Sequence, residues 1–490
     1  MPSALRDGAR GGGLVLLGSG VSLVIQLVSL VVLSRLLTPS DFGLVAMVAV
    51  FVVLGNLLRD FGLPMAGLQM QTLSHQQASN LFWMNAGVAA LTALTLALAT
   101  PLITALYGDE RLRSIVPVFA VVILISGMGA QVQVNLARRG MFRAIVLSDV
   151  AAQLCGLAIA VCLAVSGAGY WALVLQSVIA ALITVIVRWI AAQWRPSVFR
   201  RGHGSRRLLR VGAEYGFAQI LSFFQGNIDT LVIGSQLGAA SLGYYNRAFQ
   251  ILTAPASRML DPLTQVVVPT LNRIRATGGT VWKPLEQIQV AIGAAVVWVF
   301  SVAAGVAPQL LPAVLGPGWQ PTVQIFQVLA IGGCFWVFNH VSYWIFIAHE
   351  RSRELLHYNL VSKPIAIVII ASGVQFGAVG VAGGYALAMA LSWPLNLAWL
   401  SRSVGLDAIR FAANGCVLLL AGVACGTVSL GASGYLSFLP SGASVLGGIV
   451  AGTVAMLGVC VAVPRTRRHL IAAKRSATGY LRERRLRAQN

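Results

Sequence analysis

Acidic residues are scarce in this chain of 490 residues: 14 Asp and Glu stand against 35 Lys and Arg, and all four types together make up only 10%. So few charges leave too little polar surface to coat a soluble protein of this length. No G-x-x-x-x-G-K-[ST] segment occurs, so ATP is not expected to be the direct energy source. The six cysteines, Cys155, Cys162, Cys334, Cys416, Cys425 and Cys460, all fall in apolar runs. None forms a C-x-x-C pair or a Cys/His cluster with metal-ligand spacing, so they read as small core hydrophobes. No metal or other cofactor is expected.

What the chain does have is hydrocarbon. Hydrophobic residues make up 57% and the mean hydropathy is +0.80, far above the soluble range. Runs of spanning length, ~20 mostly apolar residues, fall near 14–34, 42–63, 81–106, 115–136, 145–165, 170–190, 212–236, 244–268, 286–312, 323–347, 358–376, 379–400, 411–431 and 442–463. The first follows Arg6 and Arg10 as in a signal peptide, yet it is of spanning length and no small-residue cleavage site follows. It reads as a retained helix. The expected fold is therefore an all-α polytopic membrane protein of about fourteen transmembrane helices.

Charge placement tests that reading. With the N-terminus inside, thirty of the 35 cations fall in segments that would be cytoplasmic, while the opposite loops are short and Gly-rich. Positive-inside sorting produces this alternation, and it puts both termini in the cytoplasm. Arg35, Arg111, Arg113, Arg247 and Arg258 are the exceptions. The formal charge of +21 then needs no nucleic-acid partner.

The chain also repeats. Residues 231–243 overlay 31–43 at an offset of 200, and weaker matches follow at offsets of 208 to 211. The expected organisation is a six-helix lobe over 1–200, a second over 201–405 in the same orientation, two additional helices over 406–464 and a basic cytoplasmic tail over 465–490. That tail carries nine Lys and Arg with one Glu, as a segment lying on anionic inner-leaflet lipids would.

The segment Leu33-Ser-Arg-Leu-Leu-Thr-Pro-Ser-Asp-Phe-Gly-Leu44 resembles the Wzx-type flippases of the multidrug/oligosaccharidyl-lipid/polysaccharide superfamily. Leu58-Arg-Asp-Phe-Gly-Leu63, Asn227-Ile-Asp-Thr-Leu-Val-Ile-Gly234 and Leu242-Gly-Tyr-Tyr-Asn-Arg247 extend the likeness over essentially the whole chain. The resemblance implies a bacterial inner-membrane transporter, not an enzyme. Its expected cargo is a lipid-linked oligosaccharide or polysaccharide precursor on a polyprenyl pyrophosphate, moved to the outer leaflet by two rocking bundles. Candidate protein partners are a polysaccharide polymerase and glycosyltransferases. Two alternatives stay open: a cation-coupled drug or metabolite antiporter of the same superfamily, and a membrane glycosyltransferase or polymerase.

An ionisable group inside a span costs at least ~2.5–3.5 kcal/mol, so it normally faces a wet cavity. Arginine suits a pyrophosphate through its two-pronged donor geometry. The substrate-binding candidates are Arg258, Arg59, Arg247, Arg35, Asn227 and Gln225. Against them stand snorkelling at a helix end for Arg59, the outer interface for Arg247, pairing with Asp261 for Arg258, and helix bridging for the amides. Asp229, Asp60, Asp261, Glu214 and Asp149 are candidates for ion coupling or structural pairing, with capping of a helix break as a further possibility for Asp229. His340 reads as a core histidine, and His75, His203, His349, His357 and His469 as solvated. Trp171, Trp194, Trp282 and Trp319 read as interface anchors.

Overall fold

The computed structural model describes residues 2–60, 74–200, 205–464, 466–469 and 471, and among them there are helices and no strand. In chain order they are α1 (Pro2–Leu36), α2 (Pro39–Asp60), α3 (His75–Leu98), the short α4 (Thr100–Tyr107), α5 (Leu112–Arg138), α6 (Phe142–Val165), α7 (Trp171–Ala192) and α8 (Ser205–Ala276). Then come α9 (Trp282–Leu315), α10 (Gln320–Ala348), α11 (Ser352–Ser372), α12 (Gly377–Val404), α13 (Ala408–Tyr435) and α14 (Ser441–Ala462). Eleven stretches of the described residues are long and apolar enough to cross a membrane, one of which, Ser352–Val404, contains both α11 and α12. The protein is a polytopic, all-helical membrane protein.

Helix ends follow local chemistry. Ser74 and Gln77 form a capping box at the start of α3: Gln77 N donates to Ser74 Oγ at 3.2 Å and Ser74 N to Gln77 Oε1 at 2.9 Å. Gly108 closes α4 in the left-handed region, φ 65°. The 72-residue α8 is broken at one place, Gly238, whose φ of 79° and ψ of 179° suit a residue without a β-carbon. Its backbone stays helical through Pro255, Pro262 and Pro269.

The last helix buries small residues and turns bulky aliphatics outward, the reverse of a helix in a soluble bundle. On α14 Ser444, Gly448, Gly452, Met456 and Cys460 are buried, while Leu446, Val450, Val454, Leu457 and Val461 are exposed. The small face lets backbones approach: a β-carbon at Gly448 would lie 3.0 Å from the Ser429 carbonyl oxygen. Lipid offers no penalty for exposed leucine, so close packing and hydrogen bonds, such as Ser433 Oγ to Gly305 O at 3.2 Å, hold these helices together.

The chain divides into two compact units, 1–243 and 244–490. In the first, α5 packs on α3 and α7, α7 on α6, and α6 on α1. In the second, α10 packs on α9 and α12, α12 on α11, and α13 and α14 close over α9. The pairings α3–α5, α5–α7 and α6–α7 thus recur as α9–α10, α10–α12 and α11–α12. Within the first unit the two sequence-related turns also meet each other. Gly43 lies against the Ala239 carbonyl and Gly243 against the Pro39 carbonyl, a reciprocal contact between positions 200 apart.

Candidate functional site

One group of buried polar side chains in the first unit lies on α2, α3 and α5. Arg59 is 8% exposed, and its Cδ lies 3.4 Å from where a β-carbon on Gly127 would stand. The Asn85 carbonyl borders the same glycine at 3.7 Å, and Asn85 and Gln131 are both wholly buried. Gly127 therefore provides the space in which an arginine methylene passes between two helices. Asn85, Gln131 and Asn135 were not among the candidates from sequence. Their signal was a polar residue in the middle of an apolar run, the same signal that picked out Arg59.

Asp149 has a structural partner. The Arg188 guanidinium on α7 donates to Asp149 Oδ1 at 2.6 Å, to Gln133 Oε1 at 2.9 Å and to Ser148 Oγ at 3.0 Å. Three donors of one buried cation are thus met by α5 and α6, a clamp across three helices. Arg188 looks in sequence like one more loop cation, and the fold places it inside.

In the second unit Arg247 is buried, and its Nη1 donates to Gln250 Oε1 at 3.0 Å. On the first arm of α8, Asp229 is 6% exposed and its Oδ1 accepts from Thr230 N at 2.7 Å. The helix breaks at Gly238, nine residues further on, so Asp229 has no helix end to cap. Asn227 donates to the Phe223 carbonyl at 2.8 Å, Gln225 is half-buried, and Arg35 is exposed in the last turn of α1. The side chains of Asp60, Glu214, Arg258 and Asp261, like the whole of 61–73, lie outside the described residues.

Two of the exceptional outer cations are matched by acids. Arg111 pairs with Asp109 at 2.7 Å and Arg113 with Glu110 at 3.6 Å. The Arg111 hydrogen bond holds the Asp109 carboxyl below its ordinary range.

Of the histidines expected in solvent, His75 is exposed, while His349 and His469 are half-buried. His75 Nδ1 lies 3.3 Å from Trp194 Nε1. His349 stacks on Trp282 with ring centroids 5.2 Å apart, and His469 Nε2 lies 3.8 Å from Glu286 Oε2. Trp194 and Trp319 are buried, so these rings seal helix ends rather than face an open interface. The reason is that a helix end exposes backbone groups and apolar edges together, and an indole covers both. His340 is half-buried, with Nε2 3.2 Å from Thr264 Oγ1.

The linker after α7 is fastened to α3 by its main chain. Gln76 donates to Val198 O at 2.8 Å, Trp83 to Ser197 O at 2.8 Å and Asn80 to Arg200 O at 2.7 Å. In return Ser197 N donates to Ser79 Oγ at 3.0 Å and Arg200 N to Asn80 Oδ1 at 3.1 Å.

Known proteins share this chain's sequence and fold. It is 24% identical over 380 residues to the lipopolysaccharide biosynthesis protein WzxC of Escherichia coli (strain K12), covering 76% of each chain. It is 24% identical over 364 residues to the teichuronic acid biosynthesis protein TuaB of Bacillus subtilis (strain 168), covering 73% of this chain and 75% of the relative. Among solved structures, the lipid II flippase MurJ in an inward closed conformation aligns with a TM-score of 0.71 at 12% identity, covering 90% of this chain and 97% of the other. An inward-facing multidrug resistance MATE family transporter of the MOP superfamily aligns with a TM-score of 0.56 at 15% identity, covering 80% and 95%. The two solved structures show that the chain shares their fold. The family model described as "Polysaccharide biosynthesis protein" matches residues 32–324, more than half of the sequence, and the chain belongs to that family.

Proposed function

We propose that this protein carries a lipid-linked oligosaccharide or polysaccharide precursor, borne on a polyprenyl pyrophosphate, from the inner to the outer leaflet by alternating access. The observation that carries the reading is the burial of Arg59 in the first unit and Arg247 in the second, each 8% exposed, in a chain whose helices are mostly apolar. Cations so placed are costly unless an anion or a wet cavity receives them. An anionic head crossing ~30 Å of hydrocarbon needs such a replacement for its lost hydration. Arg258, Arg59, Arg247 and Arg35 take the pyrophosphate, and Asn227 and Gln225 the hydroxyls. Asp229, Asp60, Asp261 and Glu214 serve ion coupling or pairing, and the ion pair with Arg188 supports pairing for Asp149.

Splitting α8 at Gly238 and Ser352–Val404 into α11 and α12 supports fourteen spans, an even count that puts both termini on one side, and the cation bias makes that side the cytoplasm. The recurring helix pairings support two six-helix lobes, 1–200 and 201–405, followed by two further spans. An apolar crevice of about 500 Å³ between α9, α10 and α13, lined by Phe300, Ile331, Phe335, Leu419, Val423 and Leu430, suits the lipid part of such a cargo.

The test is export. In cells lacking the gene, Arg258→Ala at normal protein level is expected to leave surface glycan absent and the lipid-linked precursor confined to the inner leaflet. Full export by Arg258→Ala and Arg59→Ala would refute the anion site.

A further inference from the structure

One face of α10 in the second unit has a composition that neither lipid nor a packed core explains. Trp336, His340 and Tyr343 follow one another at i, i+4 and i+7, which puts them on one side of the helix. They form a continuous strip: the Trp336 and His340 rings lie 6.4 Å apart at 81°, and the His340 and Tyr343 rings 5.8 Å apart at 51°. The strip is open, with Trp336 and His340 half-buried and Tyr343 40% exposed.

Its flanks are rigid and polar. On one side α12 is tied in by amides, Asn396 Nδ2 donating to Asn339 Oδ1 at 2.8 Å and Asn339 Nδ2 to Met389 O at 3.0 Å. On the other, Thr264 of α8 accepts from Trp344 Nε1 at 2.8 Å and meets His340 Nε2 at 3.2 Å, beside the exposed Gln265. Faces of the same unit suited to hydrocarbon look different: in the middle of α11 the exposed residues are Leu360, Val361, Pro364, Ile365 and Val368. Against lipid the exposed Tyr343 phenol and Gln265 amide would be left without hydrogen-bonding solvent, while Thr264 and His340 hold each other. The strip therefore faces water, and there its ring faces stay exposed unless something flat and apolar on one side, polar at its edge, lies on them.

We infer that Trp336, His340 and Tyr343 form a stacking platform for the pyranose rings of the cargo. A pyranose offers a face of C–H bonds to an aromatic ring and hydroxyls at its rim to Gln265 and the Tyr343 phenol. The three residues span about 10 Å along the helix at 1.5 Å per residue, the length of roughly two sugar rings. Stacking reads ring shape rather than a hydroxyl pattern. This inference rests on the proposed glycan cargo and adds a sugar contact distinct from the arginines.

The test separates the two. The purified full chain is titrated with a polyprenyl pyrophosphate and with the same lipid bearing one glucose or one galactose. Wild type is expected to bind a hexosyl lipid about tenfold more tightly than the bare one, the order of gain that aromatic stacking supplies. Trp336→Leu with Tyr343→Leu removes that gain and leaves bare-lipid binding intact, which also shows that the variant is folded. Tyr343→Ala alone, at an exposed position, reduces the gain and carries the test if the double variant does not fold. Trp336→Phe with Tyr343→Phe keeps it. Equal binding of all three lipids by wild type, or an undiminished gain in the Leu and Ala variants, overturns the platform while the cargo reading stands. Failure of wild type to bind any of them sinks the cargo reading and the platform with it.

Discussion

The reciprocal contact between residues 39–43 and 239–243 allows a sharp test of movement. A β-carbon added at Gly43 would stand 2.9 Å from Ala239 Cα, and one added at Gly243 would stand 2.7 Å from the Pro39 carbonyl carbon. Carbon atoms in ordinary contact sit about 3.5–4.0 Å apart. The obstructing atoms are backbone, so no rotamer change relieves the clash and the two turns must separate. Overpacking of this kind costs about 1–3 kcal/mol, which favours a parted arrangement by roughly 5-fold to 150-fold. If the turns part and rejoin during alternating access, Gly43→Ala should raise the labelling rate of Ser241→Cys by a membrane-impermeant maleimide, in a background with the six native cysteines replaced. Gly243→Ala should do the same. The double variant should add little beyond either single one, because both clashes act on one interface and parting relieves both. Unchanged labelling in both single variants, or effects that multiply in the double, would refute this account.

Further expectations rest on other contacts. Arg188→Ala removes the donor to Asp149, Gln133 and Ser148 and should destabilise the purified protein by about 1–3 kcal/mol, whereas Asp149→Asn keeps an acceptor and should cost less; thermal unfolding in detergent measures both. Asn80→Ala deletes both bonds to the Arg200 backbone, so amide exchange at 195–200 should accelerate while that of the α3 core does not. Asp109 has a carboxyl held low by Arg111, so its contribution is present above the ordinary carboxylate value of about 3.9 and fades as pH falls through the lowered one. The stability gap between wild type and Arg111→Ala should accordingly be full near neutrality and close in strong acid.

Many of the buried polar groups are legible as polar residues interrupting apolar runs. That signal marks insertion cost, so it finds Arg59, Asp149, Asp229 and Arg247 equally well. It is silent on direction. Asp149 and Arg188 are 39 positions apart, and only the antiparallel packing of α6 on α7 makes them a pair. Asn85 and Gln131 carried the same signal and went unnoticed because uncharged amides interrupt a run less conspicuously than an arginine does. Histidines and tryptophans at helix ends look alike in sequence whether solvated or packed. His75 stays exposed although Trp194 donates to it, whereas His349 is half-buried because Trp282, from another helix, stacks on it.

The sequence by itself determined that this is an all-helical membrane protein, because partition into hydrocarbon depends on composition summed over a short window. It determined the family likeness too, through turn residues at 38–43 whose conformational demands are local. Only the tertiary structure decided that Arg188 is a clamp rather than a loop charge, and that the linker is strapped to α3. Only it set Gly43 and Gly243 each against the other turn's backbone and left the aromatic face of α10 open. Those outcomes depend on the rotation of each helix about its axis and on its register against a neighbour. Hydropathy carries neither, since a span inserts equally well at any rotation until its small and polar residues find partners.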